Sequence, residues 1–159
     1  HRQPYNWLIR NIVTTNSKSF CIVCIANYCR SPVAENFLKK RFGHEYEFFS
    51  AGIFPISQPN MDARSLAFLK ENNVNHDFHT PKKINKKMLN YFDKFLAVDY
   101  YVLNQLNAAY PKYKHKFHSF TKQFSGINIL DPYQLQADEY EKVMNDIKHI
   151  SENINLEEA

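Results

Sequence analysis

The sequence has few cysteines, no internal repeats and no long apolar segment, and each absence excludes a class of protein. No apolar run approaches the roughly 20 residues that cross a bilayer, so we expect no membrane span. The three cysteines are an odd number crowded between Cys21 and Cys29, which excludes a secreted disulfide framework. No apolar stretch near the N-terminus resembles a signal peptide. We therefore expect a cytoplasmic protein with reactive thiols.

The composition is that of one globular domain. The chain has 159 residues, of which 44% are hydrophobic and 23% charged, so wholesale disorder and a fibrous repeat are not expected. Its net charge of +4 is mild and suits an anionic substrate. Lysines cluster around residues 82–87 and 112–122. We interpret both clusters as solvated faces and expect no nucleic-acid partner.

Short apolar runs alternate with helical patterns, which predicts an α/β fold. The predicted strands cover residues 20–23, 45–52, 94–98 and 116–120, and the predicted helices cover residues 31–42, 62–73, 100–109 and 137–154. Right-handed connections between such elements produce a single domain with a four-stranded parallel sheet flanked by helices on both faces. We assign residues 15–159 to this domain, and residues 1–14 to an N-terminal extension or a remnant of processing.

The stretch from Cys24 to Arg30 follows the first predicted strand and leads into a helix. Backbone N–H groups in such a loop converge on an oxyanion, and an arginine guanidinium binds two oxygens of a phosphate at once. The positive end of the helix and the arginine favour the thiolate form of Cys24. Ser31 suits the helix N-cap and Pro32 the first helical position, although Ser31 could instead donate to the Cys24 sulfur. The sequence thus predicts a phosphate-binding loop with a nucleophile at its base.

Other interpretations of these cysteines are weaker. Cys21, Cys24 and Cys29 could be three metal ligands, but no fourth cysteine or histidine lies nearby, and a strand points residues 21 and 24 to opposite faces. Cys21 lies inside the strand, where a thiol is typically an inert core side chain. We therefore expect no metal and no cofactor.

Residues 23–32 resemble the signature of the low-molecular-weight protein tyrosine phosphatases. The match comprises Cys24 and Arg30 with five residues between them, followed by Ser31 and Pro32. About a hundred residues later, the Asp-Pro-Tyr run beginning at Asp131 resembles the general-acid loop of that family. Expulsion of an aryl alkoxide requires such an acid on the far side of the phosphorus. The resemblance covers roughly residues 19–155.

The resemblance implies metal-independent hydrolysis of phosphotyrosine in proteins by a monomer, through a phosphocysteine on Cys24. Asp131 would be acid and then base, and Arg30 would hold the phosphate. A reversible disulfide between Cys24 and Cys29 is implied as well. The implied substrate-binding residues are Ile25, Ala26, Asn27, Tyr28, Cys29, Ser31, Ile56 and Tyr133, and the implied supporting residues are Ser50 and His79. Phe54 is an alternative to Ile56 as a wall of the cleft, and Asp99 is either a partner of the site or a helix N-cap.

Two residues in the loop depart from the family pattern and leave alternatives open. Ala26 stands where glycine is usual, and Tyr28 stands where tyrosine phosphatases commonly carry isoleucine and arginine phosphatases threonine. A phosphoarginine phosphatase and a catalytically idle phosphate-binding module therefore remain alternatives. An arsenate reductase of this fold needs cysteines further downstream, and none follows Cys29.

Overall fold

A computed structural model describes residues 18–159. Four parallel strands form one sheet in these residues, in the order β2-β1-β3-β4: β1 Ser19–Cys24, β2 Glu47–Gly52, β3 Lys94–Ala97 and β4 Phe117–Ser119. Five α-helices lie in the described part of the chain: α1 Ser31–Phe42, α2 Ala63–Glu71, α3 Lys86–Tyr91, α4 Tyr100–Ala109 and α5 Ala137–Asn153. A short 3-10 helix covers Pro111–Lys116. The predicted α/β fold with a parallel sheet is confirmed.

Strand β1, the first apolar run of the sequence, lies in the middle of the sheet and pairs with β2 on one side and β3 on the other. Phe20, Ile22 and Val23 are fully buried, as expected for a strand covered on both faces. The connection from β1 to β2 leads toward one edge of the sheet, and the connection from β3 to β4 leads toward the opposite edge. Right-handed crossovers in opposite directions place α1 and α4 on opposite faces. Helix α5 packs beside α1.

The register brings the carboxyl ends of three strands to the same edge. Cys24 pairs with Gly52 across β1 and β2, and Val23 pairs with Ala97 across β1 and β3. Ligands of open α/β sheets bind at this edge, outside the ends of the strands. The loop after β1 and the residues after β2 and β3 therefore share one side of the molecule.

Several predicted boundaries shift by one or two residues. Strand β2 begins at Glu47 because α1 ends at Phe42 and the next residue, Gly43, has a positive φ of 59° that turns the chain before the strand starts. Helix α2 ends at Glu71 and α5 at Asn153, while β3 and β4 are shorter than predicted. Helix α3 was not predicted; the side chain of Asn85 caps it by accepting a hydrogen bond from the Met88 N–H.

The predicted N-cap role of Ser31 is wrong. Arg30 occupies the cap position of α1 without a capping hydrogen bond from its side chain, and the helix begins at Ser31, which places Pro32 second. The Ser31 hydroxyl instead points to the Cys24 sulfur. The N-terminal extension predicted for residues 1–14 lies outside the described residues. None of the helices in residues 18–159 has the length and apolar character that a membrane span requires.

Candidate active site

The loop from Cys24 to Arg30 connects β1 to α1 and is held in a strained conformation. Asn27 has a positive φ of 54°, a conformation that asparagine tolerates better than most residues. The loop backbone also presses on Gly52 at the end of β2. A Cβ atom there would lie 2.7 Å from the carbonyl oxygen of Ile25, so only glycine fits this contact.

The buried side chain of Asn27 fastens the loop to its surroundings. Its Nδ2 donates to Oγ of Ser31 (2.8 Å) and to Oγ of Ser50 (3.0 Å), and its Oδ1 accepts from the N–H of Lys82 (3.0 Å). Nε2 of His79 lies 2.7 Å from the Asn27 carbonyl oxygen. A carbonyl only accepts, so Nε2 of His79 carries the proton in this contact. Four separate hydrogen bonds thus hold Asn27.

The direction of these bonds supplies a donor to the Cys24 sulfur. Ser50 donates to Oε1 of the buried Glu35 (2.6 Å) and accepts from Asn27. Oγ of Ser31 also accepts from Asn27 and lies 3.0 Å from Sγ of Cys24, so its hydroxyl can donate to the sulfur when the sulfur is a thiolate. The N–H of Asn27 donates to the same sulfur at 3.2 Å. Two donors, from Ser31 and from the loop backbone, are thus within reach of the sulfur.

Arg30 is almost fully buried, and its guanidinium is fixed on one side. Its Nη1 donates to Oδ2 of Asp99 (2.6 Å) and to the carbonyl of Ile129 (3.0 Å). Oδ1 of Asp99 caps α4 by accepting from the Val102 N–H, so the aspartate has both roles considered for it. A guanidinium has five N–H donors. These bonds leave the donors on Nε and Nη2 for a phosphate.

The Cys24 sulfur lies at the bottom of a pocket that opens between the loop and the segment around Asp131. The pocket is lined by Cys24, Ile25, Ala26, Tyr28, Cys29, Arg30, Phe54, Ile56, Asp131 and Tyr133. Its mouth is aromatic: the rings of Tyr28 and Tyr133 meet edge to face, with centroids 6.1 Å apart. Burial and the nearby Asp62 carboxylate raise the pKa of Tyr28, which keeps this phenol neutral.

The segment with Asp131 forms a turn of its own. Oδ1 of Asp131 accepts a hydrogen bond from the N–H of Tyr133 at 3.2 Å, and the Leu135 N–H donates to the Pro132 carbonyl at 3.0 Å. Pro132 is buried while Asp131 and Tyr133 are exposed. We call residues 131–135 the acid loop. Asp131 lines the pocket that also contains the cysteine and the arginine.

Comparison with known protein families gives a match over most of the chain. Residues 19–158 match the family model described as "Low molecular weight phosphotyrosine protein phosphatase". The chain belongs to this family. It is therefore a phosphatase, a hydrolase of the protein-tyrosine-phosphatase class.

Individual relatives cover most of the chain. The low molecular weight protein-tyrosine-phosphatase Etp of Escherichia coli is 28% identical over 134 residues, which span 84% of this chain and 90% of the relative. Wzb of Vibrio vulnificus, solved with benzylphosphonate, has a TM-score of 0.78 at 23% identity, over 86% of this chain and 95% of that one. The YwlE arginine phosphatase of Geobacillus stearothermophilus has a TM-score of 0.76 at 22% identity, over 84% and 88%.

The structure of this phosphatase brings the site residues predicted from the sequence to one edge of the sheet. Those that line the pocket are Cys24, Ile25, Ala26, Tyr28, Cys29, Arg30, Ile56, Asp131 and Tyr133, and Phe54 joins Ile56 there. The side chains of Asn27 and Ser31 lie behind the loop, where they hold its backbone and the sulfur. Ser50 and His79 contact Asn27 from β2 and from the segment before α3.

The other cysteines of the phosphatase differ from Cys24. Burial raises the pKa of Cys29 to about 12, and its thiol points to Oδ2 of Asp62 at 3.8 Å. Cys21 is buried in β1, and none of the three cysteines of residues 18–159 forms a disulfide. Among residues 18–159, no three side chains of the types that bind metals come together.

Sequence reasoning missed three contributors to the site. Glu35 accepts from Ser50 and is also paired with Lys39 at 2.6 Å. The available signal was its spacing of four residues from Lys39, which allows an ion pair on one face of α1. Asp62 and Arg64 contact the acid loop and the phosphate-binding loop, and nothing in the local sequence marks them beyond the helix cap at Asp62.

Proposed function

We propose that this phosphatase hydrolyses phosphotyrosine in protein substrates through a phosphocysteine on Cys24, with Asp131 as general acid and then general base. One observation carries the proposal: Cys24, Arg30 and Asp131 line the same pocket. The pocket thus contains a nucleophile, a phosphate clamp and a proton donor, which are the groups that displacement at phosphorus requires.

In the first step, the thiolate of Cys24 attacks phosphorus and a P–S bond forms. The bond from phosphorus to the aryl oxygen breaks, and the carboxylic acid of Asp131 gives its proton to the departing oxygen. In the second step, the Asp131 carboxylate takes a proton from water, whose oxygen attacks the phosphorus. The P–S bond breaks, and inorganic phosphate and the thiolate are released.

Charge on the phosphoryl oxygens is stabilised by donors that are in place before the substrate binds. The free side of the Arg30 guanidinium and the N–H groups of the loop are these donors. Their positions are held by Asp99 and Asn27. Because the developing charge is met by fixed donors, the proposed mechanism requires no metal ion.

The walls of the pocket favour an aryl phosphate. Tyr28, Tyr133, Phe54 and Ile56 form an aromatic and apolar mouth above the cysteine, and ring edges and faces at this separation attract another aromatic ring. A phosphoarginine carries a polar guanidino group instead, and among residues 18–159 Asp131 is the one acidic residue that lines the pocket. We therefore place phosphotyrosine ahead of phosphoarginine.

We also infer a cytoplasmic location, monomeric action and redox sensitivity. Free thiols at Cys24 and Cys29 fit a reducing compartment. All groups of the proposed mechanism come from one chain. Cys29 lines the pocket that holds Cys24, which supports a reversible disulfide between them as protection for the nucleophile.

The test is hydrolysis of p-nitrophenyl phosphate in excess EDTA by the wild type, Cys24→Ser and Asp131→Asn. We expect turnover that survives chelation, vanishes in Cys24→Ser and falls about a hundredfold or more in Asp131→Asn, the size of a general-acid contribution. Phosphotyrosine and phosphoarginine peptides are then compared by kcat/KM, with the higher value expected for phosphotyrosine.

Three results would contradict the proposal. Loss of activity in EDTA would indicate metal chemistry, and undiminished activity of Cys24→Ser would remove the covalent intermediate. A folded wild type without turnover would indicate a phosphate-binding module. Ala26 and Tyr28 would then be the first residues to replace by those usual in the family. Faster hydrolysis of phosphoarginine would change the substrate but leave the mechanism.

A further inference from the structure

The acid loop is held at Tyr133 from both sides. The N–H of Tyr133 donates to the carboxylate of Asp131, while its carbonyl accepts from Nη2 of Arg64 at 2.9 Å. Nη1 of Arg64 donates to the Leu135 carbonyl at 2.9 Å. One guanidinium thus holds two carbonyls of the loop that carries the acid.

Arg64 is itself held by a carboxylate and an aromatic ring. Its Nε and Nη2 donate to Oδ1 and Oδ2 of Asp62, both at 3.0 Å, and its guanidinium carbon lies 3.9 Å from the ring centre of Tyr140 on α5. Burial alone would raise the pKa of Asp62, but hydrogen bonds from the side chain and the N–H of Arg64 outweigh it and lower the pKa. The pair is ionised, and the guanidinium has one orientation.

Asp62 joins this arrangement to the phosphate-binding loop. Its N–H donates to the carbonyl of Tyr28 at 2.9 Å, and its carboxylate faces the thiol of Cys29. Ser65, one residue after Arg64, donates to the Cys29 carbonyl at 2.8 Å. The start of α2 therefore contacts both the loop that binds phosphate and the loop that carries the acid.

We infer that Arg64 is a positioning residue, which sets the place of Asp131 relative to Cys24 by connecting the acid loop to the phosphate-binding loop. This inference rests on the proposed role of Asp131. Arg64 uses four N–H bonds on three partner residues, a planar fork that the single ammonium of lysine does not reproduce.

A misplaced acid has a characteristic kinetic effect. A p-nitrophenolate leaves readily without a proton, whereas a phenolate needs one, so loss of acid catalysis slows phenyl phosphate more than p-nitrophenyl phosphate. A general loss of structure slows both equally. The ratio of kcat/KM for the two substrates therefore reports the position of Asp131.

The experiment measures this ratio in the wild type, in Arg64→Met and in Arg64→Lys. It also measures the ratio when each of these two changes is combined with Asp131→Asn. We expect Arg64→Met to lower kcat/KM about tenfold for phenyl phosphate and about twofold for p-nitrophenyl phosphate, because acid catalysis is partly lost. We expect Arg64→Lys to lower kcat/KM more for phenyl phosphate than for p-nitrophenyl phosphate as well. In Asp131→Asn, where no acid remains, neither change at Arg64 alters the ratio further.

Arg41 offers a matched control. It donates through Nη1 to the carbonyls of Ser151 and Ile154 and packs over Phe42, and it does not line the pocket. Arg41→Met therefore removes an arginine with similar bonds and is expected to leave the ratio unchanged. An equal fall for both substrates in the Arg64 variants, or a further change of ratio in Asp131→Asn, would overturn the inference.

Hydrogen exchange separates this inference from the proposed function. The amides of Tyr133 and Leu135 are bonded within the acid loop, and release of the loop from Arg64 should speed their exchange. Faster exchange in Arg64→Met, but not in Arg41→Met, supports the positioning role even if the wild type hydrolyses neither substrate. Unchanged exchange at both amides contradicts it whatever the activity.

Discussion

The phosphate-binding loop and the acid loop face the same pocket but are held in different ways. Asn27 is 0% and Arg30 is 1% exposed, and the side chain of the first makes hydrogen bonds to α1, to β2 and to the segment before α3. Tyr133 is 51% exposed, and Arg64 is the residue of α2 that binds the acid loop. One loop is embedded in the core, and the other lies on the surface.

The difference corresponds to what each loop is proposed to do. Donors that stabilise a developing negative charge are most effective when they are oriented before the reaction and shielded from water. An acid that meets a leaving group at the mouth of the pocket must instead be reached by the substrate and by water. Apart from the catalytic side chains themselves, changes that disturb the embedded loop should therefore cost more activity than changes that disturb the exposed one.

Outside the catalytic side chains, the largest effect is expected for Gly52→Ala, which forces the embedded loop to move. The new Cβ would lie 2.7 Å from the Ile25 carbonyl oxygen and 2.9 Å from the Asn27 nitrogen. Overpacking of this kind lowers the free energy of unfolding by about 1–3 kcal/mol. A shift of about 1 Å in the loop would lower kcat/KM for p-nitrophenyl phosphate about a hundredfold. Steady-state kinetics and thermal unfolding measure the two effects.

Gly126→Ala is the matched control for Gly52→Ala. Gly126 has a positive φ of 86°, but a Cβ added there would meet no atom of residues 18–159 within 4 Å, apart from its own chain neighbours. The substitution strains the backbone, and we expect it to cost about 1 kcal/mol of stability without a loss of kcat/KM. Equal loss of activity in both variants would contradict the special role of the embedded loop.

An intermediate effect is expected at Cys29, a residue of the embedded loop that lines the same pocket as Asp131. After a peroxide pulse, the sulfenic acid of Cys24 would condense with the Cys29 thiol, which forms the S–S bond and releases water. In Cys29→Ser the sulfenic acid proceeds to the irreversible sulfinic acid. Recovery is the fraction of each protein's own untreated activity that dithiothreitol restores. We expect the wild type to recover most of its activity and Cys29→Ser to recover a several-fold smaller fraction.

The pKa of Cys29 adds a pH dependence to this prediction. Because its pKa is raised to about 12, the fraction of thiolate increases tenfold per pH unit between pH 7 and 9, and disulfide formation should accelerate accordingly. Cys21→Ala, which changes a buried thiol of β1, should recover as the wild type does. If Cys29→Ser recovers as fully as the wild type, the protective disulfide is wrong.

The embedded loop could be predicted from the sequence because its parts are adjacent in the chain. A buried strand, a cysteine, an arginine and a helix start follow one another, and their geometry is local. The acid loop is about a hundred residues away, and the resemblance to a family was needed to connect Asp131 with Cys24. The parallel sheet followed from the alternation of strands and helices. Helix α3 was missed because a helix of only 6 residues shows little periodicity.

Contacts that cross the fold could not be predicted. Serine is a preferred residue at a helix N-cap, yet the hydroxyl of Ser31 forms hydrogen bonds with the Cys24 sulfur and the Asn27 side chain instead. The bonds from Arg64 to Tyr133 and Leu135 join residues about 70 positions apart, and no sequence rule specifies which surface arginine reaches a carbonyl on a distant loop. Such contacts depend on the tertiary structure as a whole.

The smallest effect is expected on the exposed side, for Tyr133→Ala. The ring forms one wall of the mouth, whereas the backbone N–H that binds Asp131 remains in the variant. An exposed aromatic contact is worth about 0.5–1.5 kcal/mol, so KM for aryl phosphates should rise about threefold while kcat changes little. Inhibition by inorganic phosphate, which has no ring, should be unaffected. Tyr101→Ala removes a tyrosine of the same 51% exposure outside the pocket and should leave KM unchanged. A large fall in kcat for Tyr133→Ala would mean that the ring also holds the acid, and the two loops would then differ less than their exposure indicates.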